Sequence, residues 1–267
     1  MATELEFEKK PRVWLNVVDS FVMIKRSSTH ILRNTDQLLG TFFQPIMFLV
    51  LFSAVYSGAV STLDNVSYTD FLMAGLIVQT LAFGSTTTAL AVANDLQKGI
   101  IDRFRSLPMS NLAVLNGHVV SDVFRNVLST VVLIIAGFVI GFRPSADGLD
   151  WLLLTGLTIL LTLAFSWLSA ILGVVAKSVE GVQWLSFIFV FPLTFASSAF
   201  VNPELMTSWL RPFAENQPIT HIVDTYRSLL IGTPMGDSGW IAVAWLVGII
   251  VLSMPVASWL FKQKTTQ

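Results

Sequence analysis

The side chains that could carry out chemistry in this chain are few and far apart. The sequence contains no cysteine, which excludes disulfides, thiol catalysis and cysteine metal sites. One of its three histidines, His221, lies three residues before Asp224, and residues at this spacing can meet on one face of a helix. No nucleophile with a recognisable motif accompanies this pair. We therefore expect no catalysis there.

Motifs for nucleotide and zinc chemistry are absent from the sequence. There is no G-x-x-x-x-G-K-[ST] segment, which would cradle nucleotide phosphates, and no H-E-x-x-H segment, which would hold zinc. Ser85 follows Gly84, but the residues around them lack the G-x-S-G arrangement expected of intramembrane serine proteases. We therefore predict that the chain is not itself an enzyme and binds no metal or cofactor.

Charged residues are scarce, and their distribution predicts where the chain lies. Only 12% of the 267 residues are charged, whereas soluble domains average about 25%. Six stretches carry no Asp, Glu, Lys or Arg, and five of them exceed the roughly 20 residues that cross a bilayer as a helix. We predict an all-α membrane protein with six transmembrane helices. The six stretches are Gln37–Leu63, Phe71–Asn94, Asn126–Phe142, Trp151–Ala176, Gly181–Pro203 and Ser238–Phe261.

The basic residues between these stretches predict the orientation of the chain. Lys and Arg collect on the cytoplasmic side of short loops. Over alternate sides, 13 basic residues fall on the side of the two termini and 3 on the other. We expect one domain in the plasma membrane, with a cytoplasmic segment 1–36, six spans within 37–261 and a cytoplasmic tail 262–267. The net charge of −1 argues against a nucleic-acid partner, because a phosphate backbone binds a basic surface.

The third stretch is the shortest, at 17 residues. We expect its helix to begin near Val119 and to carry Asp122 and Arg125 in its first turns. These two side chains are three apart and can pair, and their position favours charges at the cytoplasmic headgroups over a role in transport. The cores of the spans otherwise lack ionisable residues, which removes the usual hallmark of gradient-driven transport. The energy for transport would then come from outside the chain.

Two cytoplasmic segments have helical patterns. Trp14, Val17, Val18, Phe21 and Ile24 predict an amphipathic helix in the membrane interface. In Asp95–Leu107, four apolar residues share one helix face, and charges occupy the rest. This second helix suits either docking into a groove on another protein or a solvated connector. The apolar residues are Leu96, Ile100, Phe104 and Leu107, and the charged ones are Asp95, Lys98, Asp102, Arg103 and Arg105.

The fifth loop is long and rich in apolar residues, unlike a freely solvated loop. We predict short helices that re-enter the membrane or lie along its outer leaflet, with backbone groups buried in protein or lining a cavity. Pro212 and Pro218 break the segment, and Thr220 is a candidate cap for a helix running through Arg227.

Polar and aromatic side chains also occur within the predicted spans. Gln79, Thr86 and Thr87 lie in the second span, and Phe191 and Phe195 lie in the fifth. These residues are candidates for lining a translocation path. The alternative is that the polar groups join helices by hydrogen bonds and the aromatic rings pack in the core or against lipid, and this alternative is favoured.

Two segments of this chain resemble those of the ABC-2 type membrane permeases, especially the daunorubicin-resistance branch of drug and lipid exporters. Gly99–Pro108 is similar to the family pattern G-x-x-[DE]-R-[LF]-R-x-L-P, and Asp122 and Arg125 follow it at the expected place. Trp209–Thr220 is similar to W-L-x-x-[FI]-x-x-x-[NQ]-P-x-[TS], and Asp224 and Arg227 follow. The resemblance extends over nearly the whole chain.

The resemblance implies a permease that pairs with a second permease copy or a homologous permease, and with two cytoplasmic ATPase subunits that hold ATP and magnesium. Asp95–Leu107, with Gly99 at its centre, would be the coupling helix that meets the ATPase, and the N-terminal amphipathic helix would be the elbow helix. The fifth loop would form the outer gate. Its candidate residues are Trp209, Phe213, Asn216, Pro218, Asp224 and Arg227.

The expected function is therefore export of an amphipathic drug, lipid or glycolipid by alternating access. A polysaccharide exporter is the nearest alternative within this class. A membrane-embedded lipid-modifying enzyme would need clustered polar catalytic groups, which the sequence does not display. A scaffold subunit without transport of its own is a third class.

Overall fold

The apolar stretches of the sequence form helices, because a helix satisfies its own backbone hydrogen bonds where a bilayer offers no water. A computed structural model describes residues 35–56, 67–98 and 111–266, and none of these residues forms a strand. The helices are α1 (Thr35–Tyr56), α2 (Tyr68–Gly84), α3 (Thr86–Gln97), α4 (Asn111–Ile140), α5 (Gly148–Val175), α6 (Val179–Phe195), α7 (Arg211–Asn216), α8 (Pro218–Ile231) and α9 (Ser238–Thr266). A 3₁₀ turn at Pro203–Leu205 precedes α7.

Four segments of the described chain are long and apolar enough to cross a membrane. The first combines α2 and α3, which are separated only by a break at Ser85. The others lie within α4, α5 and α9. The apolar part of α1 and the whole of α6 coincide with the remaining two predicted spans but are shorter. The all-helical prediction is confirmed, and four of the six predicted spans reach spanning length.

Several predicted boundaries differ from those in the structure. The helix of the third predicted span is expected to begin near Val119, whereas α4 begins at Asn111 and continues for 30 residues. The fifth stretch extends to Pro203, whereas α6 ends at Phe195 and the chain turns through Ala196. The predicted elbow helix and residues 99–107 of the coupling segment lie outside the described residues.

The centre of the bundle is α2, whose side chains are buried on nearly every face. It packs against α1, α4 and α8, while α5 packs against α3, α4 and α9. Close approach to α2 depends on Gly75, because a Cβ atom there would lie 2.1 Å from the Ala199 carbonyl oxygen. The segment after α6 therefore packs directly on the backbone of α2.

Side chains fix the starts of two helices. The Asp147 carboxylate accepts hydrogen bonds from the Leu149 and Asp150 amides, and the Asp150 carboxylate accepts one from the Asp147 amide, which forms a capping box for α5. The Ser178 hydroxyl accepts from the Gly181 amide at 3.0 Å and caps α6.

The fifth loop contains the predicted short helices. Pro212 and Pro218 lie in the first turns of α7 and α8, where a missing amide costs nothing. The prediction that Thr220 caps a helix is wrong, because α8 begins at Pro218 and the Thr220 hydroxyl donates to the Ala214 carbonyl. Gly232 ends α8 with a φ of 71°, a backbone conformation that suits glycine.

We predict that Gly75→Ala lowers the free energy of unfolding by about 1–3 kcal/mol, since the added methyl group must displace the Ala199 backbone. Thermal unfolding of the purified protein in detergent measures the change. The control is Gly156→Ala on α5, where no atom lies within 4 Å of the new Cβ. Equal unfolding temperatures for the two variants would contradict the close approach.

Candidate functional site

A cavity of about 410 Å³ lies among α1, α2, α3 and α6. This volume is within the range of small-molecule sites, roughly 300–1,000 Å³. All the side chains that line it are uncharged. The lining residues are Gly40, Gln44, Pro45 and Phe48 from α1, Gln79, Thr80, Phe83 and Gly84 from α2, Thr86, Thr87 and Leu90 from α3, and Gln183, Ser186, Phe187, Phe191 and Phe195 from α6.

One wall of the cavity is a row of aromatic rings. Along α6, the ring centroids of Phe187 and Phe191 are 4.9 Å apart, and those of Phe191 and Phe195 are 4.2 Å apart. The row continues through Phe200 to Phe52 of α1, with centroid distances of 5.0 and 5.1 Å. Rings at these separations attract one another, so the row is a stiff apolar surface.

The lining of the cavity also includes polar residues. Gln79 and Ser186 line it from α2 and α6, and each is only 3% exposed. Within the described residues, the Gln79 amide nitrogen and the Ser186 hydroxyl are buried and have no hydrogen-bond partner. Buried polar groups are normally paired. The cavity thus combines an aromatic face with polar residues, two of which have a buried, unpaired atom.

All five residues predicted to line a pathway lie on this cavity. Gln79, Thr86 and Thr87 come from the second predicted span, and Phe191 and Phe195 come from the fifth. The alternative interpretation also holds in part. The Thr86 hydroxyl donates to the Phe83 carbonyl at 2.7 Å, and the phenylalanines stack on one another.

Beside the cavity, α4 contributes a buried ion pair. Asp122 and Arg125 are 2% and 3% exposed, and an Arg125 Nη2 hydrogen donates to Asp122 Oδ1. Asp122 Oδ1 also accepts from the Thr87 hydroxyl at 3.0 Å. Its Oδ2 accepts from Thr88 of α3 at 2.8 Å and from Ser166 of α5 at 2.6 Å. One carboxylate therefore joins three helices.

The same arginine secures the break between α2 and α3. Arg125 Nη2 donates to the carbonyl of Gly84, the last residue of α2. The last carbonyls of a helix have no amide donor within that helix, so the arginine supplies a donor there. A Cβ atom at Gly84 would lie 2.2 Å from Asn126 Oδ1, so the glycine permits this close approach of α4. The broken part of α2–α3 is thus held by α4.

The structure buries this pair between helices, and both residues lie within the candidate span Val114–Ile140. Their predicted depth, at the cytoplasmic headgroups, stays a prediction. Buried charges in a membrane segment are expensive and typically functional, which directs attention to this cluster.

The described end of the predicted coupling segment is anchored to α4. The carboxylate of Asp95 lies 3.0 Å from His118 Nε2, and both side chains are mostly buried. Leu96 packs against an apolar cluster of α4, α5 and α9, and Lys98 is exposed. The remaining predicted residues, Gly99 to Leu107, lie outside the described residues.

A second Asp–Arg pair holds the chain just beyond α6. Arg227 of α8 donates to Asp224 Oδ1 at 2.8 Å and to the Ser198 carbonyl at 2.7 Å, just beyond the end of α6. The Ser198 hydroxyl donates to Asp224 at 2.7 Å. The arginine also lies over the ring of Phe71, 3.8 Å from its centroid. The suggested His221–Asp224 pairing is replaced by this cluster.

Arg227 remains a cation at neutral pH. Burial lowers its pKa to about 10, and the neighbouring Asp224 carboxylate opposes the shift. The other predicted gate residues lie at the surface of the same region. Trp209 is 78% exposed, Phe213 and Asn216 are also exposed, and Pro218 starts α8.

Sequence reasoning missed three residues that complete these clusters. Ser166 in α5, Ser198 after α6 and His118 in α4 each bind a carboxylate from a distant part of the chain. Their types are common in helices and loops, so only the packing of the helices identifies their partners.

Long apolar helices around an uncharged cavity, with the buried Asp122–Arg125 pair beside it, are typical of an integral membrane protein. A family model for ABC-2 type transporters matches residues 19–231. The chain therefore belongs to the ABC-2 type transporter family, as its sequence resemblance indicated.

Named relatives are ABC transporter permeases. The chain is 31% identical, over 85% of its length and 80% of the relative, to the daunorubicin resistance ABC transporter permease protein DrrB1 of Streptomyces coeruleorubidus. It is 26% identical to the probable doxorubicin resistance ABC transporter permease protein DrrC of Mycobacterium tuberculosis, over 91% and 88% of the two chains. The doxorubicin resistance ABC transporter permease protein DrrB of the same species is 25% identical, over 90% and 83%.

We predict that Arg125→Met lowers the free energy of unfolding by about 3–5 kcal/mol, because the Asp122 carboxylate would stay buried without its cation. Thermal unfolding in detergent measures the loss. The matched control, Arg211→Met, removes an exposed pair with Glu215 and should leave the unfolding temperature unchanged. A loss of similar size in both variants would show that burial of the Asp122 pair is not what matters.

Proposed function

We propose that this chain is the membrane-spanning permease subunit of an ATP-driven ABC exporter, which moves an amphipathic drug, lipid or glycolipid out of the cytoplasm or inner leaflet. The observation that carries the proposal is the uncharged cavity with an aromatic wall and polar residues in its lining. It lies within a chain of the ABC-2 type transporter family. Its relatives' names connect them with resistance to daunorubicin and doxorubicin.

The chemistry of the cavity supports an amphipathic cargo. Phe187, Phe191 and Phe195 offer a surface for stacking or apolar contact, while the lining residues Gln44, Thr80 and Gln183 have exposed surface and offer hydrogen bonds. A cargo that contacts both kinds of residue gains apolar burial and hydrogen bonds. A volume of about 410 Å³ suits a small molecule or part of a lipid better than a long polymer.

The membrane arrangement that we propose has six spans with both termini in the cytoplasm. The four spanning helices supply four of them, and α1 and α6 supply the other two at the places that the sequence predicts. The 13 basic residues on the side of the termini, against 3 on the other side, support this orientation. The helices α7 and α8 then form the outer part of the protein, with Trp209 and Phe213 exposed to the outer leaflet.

Coupling to two cytoplasmic ATPase subunits takes place at Asp95–Leu107 in this proposal. The segment connects α3, which lines the cavity, with α4, which carries the buried ion pair. We call α3, this segment and α4 the coupling hairpin. Closure of the ATPases upon each other would push the coupling hairpin and rock the two permease halves of a dimer between inward and outward access. ATP and magnesium act on the partner subunits.

We expect Arg103→Glu to abolish drug efflux from cells and co-purification of the ATPase, while the permease still folds. Reversing a charge in the docking helix opposes the partner surface. Efflux rate and ATPase recovery on affinity purification are the measurements. Lys177→Glu is the control, because it reverses a charge on the same predicted side outside the segment. Normal efflux by Arg103→Glu would remove the docking hypothesis.

For the cavity, we expect Phe191→Ala to weaken daunorubicin binding about 3–10-fold, since an aromatic contact contributes about 0.5–1.5 kcal/mol. Fluorescence titration of the purified complex with daunorubicin is the assay. Phe189→Ala is the matched control, because Phe189 lies on the same helix but does not line the cavity. An equal loss in both variants would place the cargo elsewhere.

A further inference from the structure

Thr87 lies between the cavity and the buried Asp122 carboxylate. Its side chain is one of those that line the cavity. Its hydroxyl oxygen lies 3.0 Å from Asp122 Oδ1 and also 3.0 Å from the Gly84 carbonyl oxygen. A hydroxyl group has a single proton to donate, so it serves one of these acceptors at a time. The two acceptor oxygens are at the same distance from the Thr87 hydroxyl.

Neither arrangement leaves an acceptor without a donor. When Thr87 donates to Asp122, the Gly84 carbonyl is still bound by Arg125. When Thr87 donates to Gly84, Asp122 Oδ1 is still bound by Arg125 and Oδ2 by Thr88 and Ser166. Exchange of the Thr87 hydrogen bond between the two acceptors therefore leaves no buried polar group without a partner, which keeps the free-energy cost of the exchange low.

The exchange has different mechanical consequences for the two helices. A bond to Asp122 connects the cavity wall to α4, whereas a bond to Gly84 stays within the α2–α3 break. The two arms of the coupling hairpin, α3 and α4, are already joined near their other ends by Asp95 and His118. Thr88 and Arg125 keep α3 and the α2–α3 break bound to α4 in both arrangements. Among the four donors to Asp122, Thr87 is the one that lines the cavity, so its hydroxyl is the donor that a change in the cavity reaches directly.

We propose that Thr87 is a positioning residue whose hydrogen bond to Asp122 couples the state of the cavity to the movement of the coupling hairpin. This inference rests on the proposed function, because it requires a partner ATPase that moves the hairpin. Thr86 does not share the role. It also lines the cavity, but its hydroxyl donates to the Phe83 carbonyl at 2.7 Å and makes no contact with Asp122.

Coupling between two sites is reciprocal, so the link can be tested from the ATPase side without knowledge of the cargo. The chain has no cysteine, and Thr80→Cys places a single thiol of similar size on the cavity wall. The probe is N-ethylmaleimide, and the measurement is its rate of reaction with the full permease–ATPase complex. The rate is compared without nucleotide and with a non-hydrolysable ATP analogue.

We expect the nucleotide to change the rate several-fold in the Thr80→Cys background. Adding Thr87→Val, which keeps the shape and removes the hydroxyl, should abolish the change, and Thr87→Ser should restore it. Thr86→Val should preserve the nucleotide response, even if cargo transport falls because Thr86 also lines the cavity. Rescue by serine separates a role of the hydroxyl from a packing defect.

Three results bear against the account in different ways. A normal nucleotide response in Thr87→Val overturns the inference and leaves the proposed function intact. Equal loss in Thr86→Val and Thr87→Val also overturns it, because the bond to Asp122 would then be irrelevant. No nucleotide response in the Thr80→Cys background overturns the proposed coupling itself, and the inference with it.

Discussion

A carboxylate buried in a membrane segment is stable only if donors surround it, and this requirement organises the interior of the protein. Asp122 accepts hydrogen bonds from Thr87, Thr88, Arg125 and Ser166, which belong to α3, α4 and α5. Desolvation of an unpaired carboxylate costs several kcal/mol. The three helices are therefore held in one register by a single group, and no one of them can shift without exchanging a partner.

The cavity and the coupling segment depend on this cluster from opposite sides. Arg125 holds the Gly84 carbonyl at the α2–α3 break, and Gly84 and Thr87 form part of the cavity wall. Toward the predicted cytoplasm, Asp95 and His118 make a second connection between α3 and α4. A second Asp–Arg pair, Asp224 and Arg227, holds the chain just beyond α6. Each of the two arginines therefore binds a backbone carbonyl next to the end of a helix that lines the cavity.

Hydropathy alone predicted the helices, because a charge-free stretch in a membrane has few alternatives to helical structure. It predicted helix ends poorly. The N-terminal part of α4 contains His118 and Asp122, which look unfavourable for a buried helix until their partners on other helices are known. The end of α6 is equally hidden, since the chain turns at Ala196 inside an apolar stretch.

Within the candidate site, residue type identified members but not their arrangement. Gln79, Thr87 and Phe191 stood out as polar or aromatic residues in spans, and their grouping in one cavity follows from the packing of α1, α2, α3 and α6. Asp224 had two basic neighbours at helical spacing, His221 and Arg227. The arginine is the partner because it also reaches the Ser198 carbonyl.

The most direct test of the central claim is a pair of spin-label distances in the permease–ATPase complex, with labels attached to introduced cysteines in this cysteine-free chain. One distance joins Lys98 to Val131, across the two helices that Asp122 holds together. The other joins Lys98 to Ile188 on α6, the helix that carries the aromatic wall of the cavity. All three side chains are exposed. The account predicts that nucleotide binding leaves the first distance unchanged and shifts the second. A shift in the first distance with a constant second distance would contradict it.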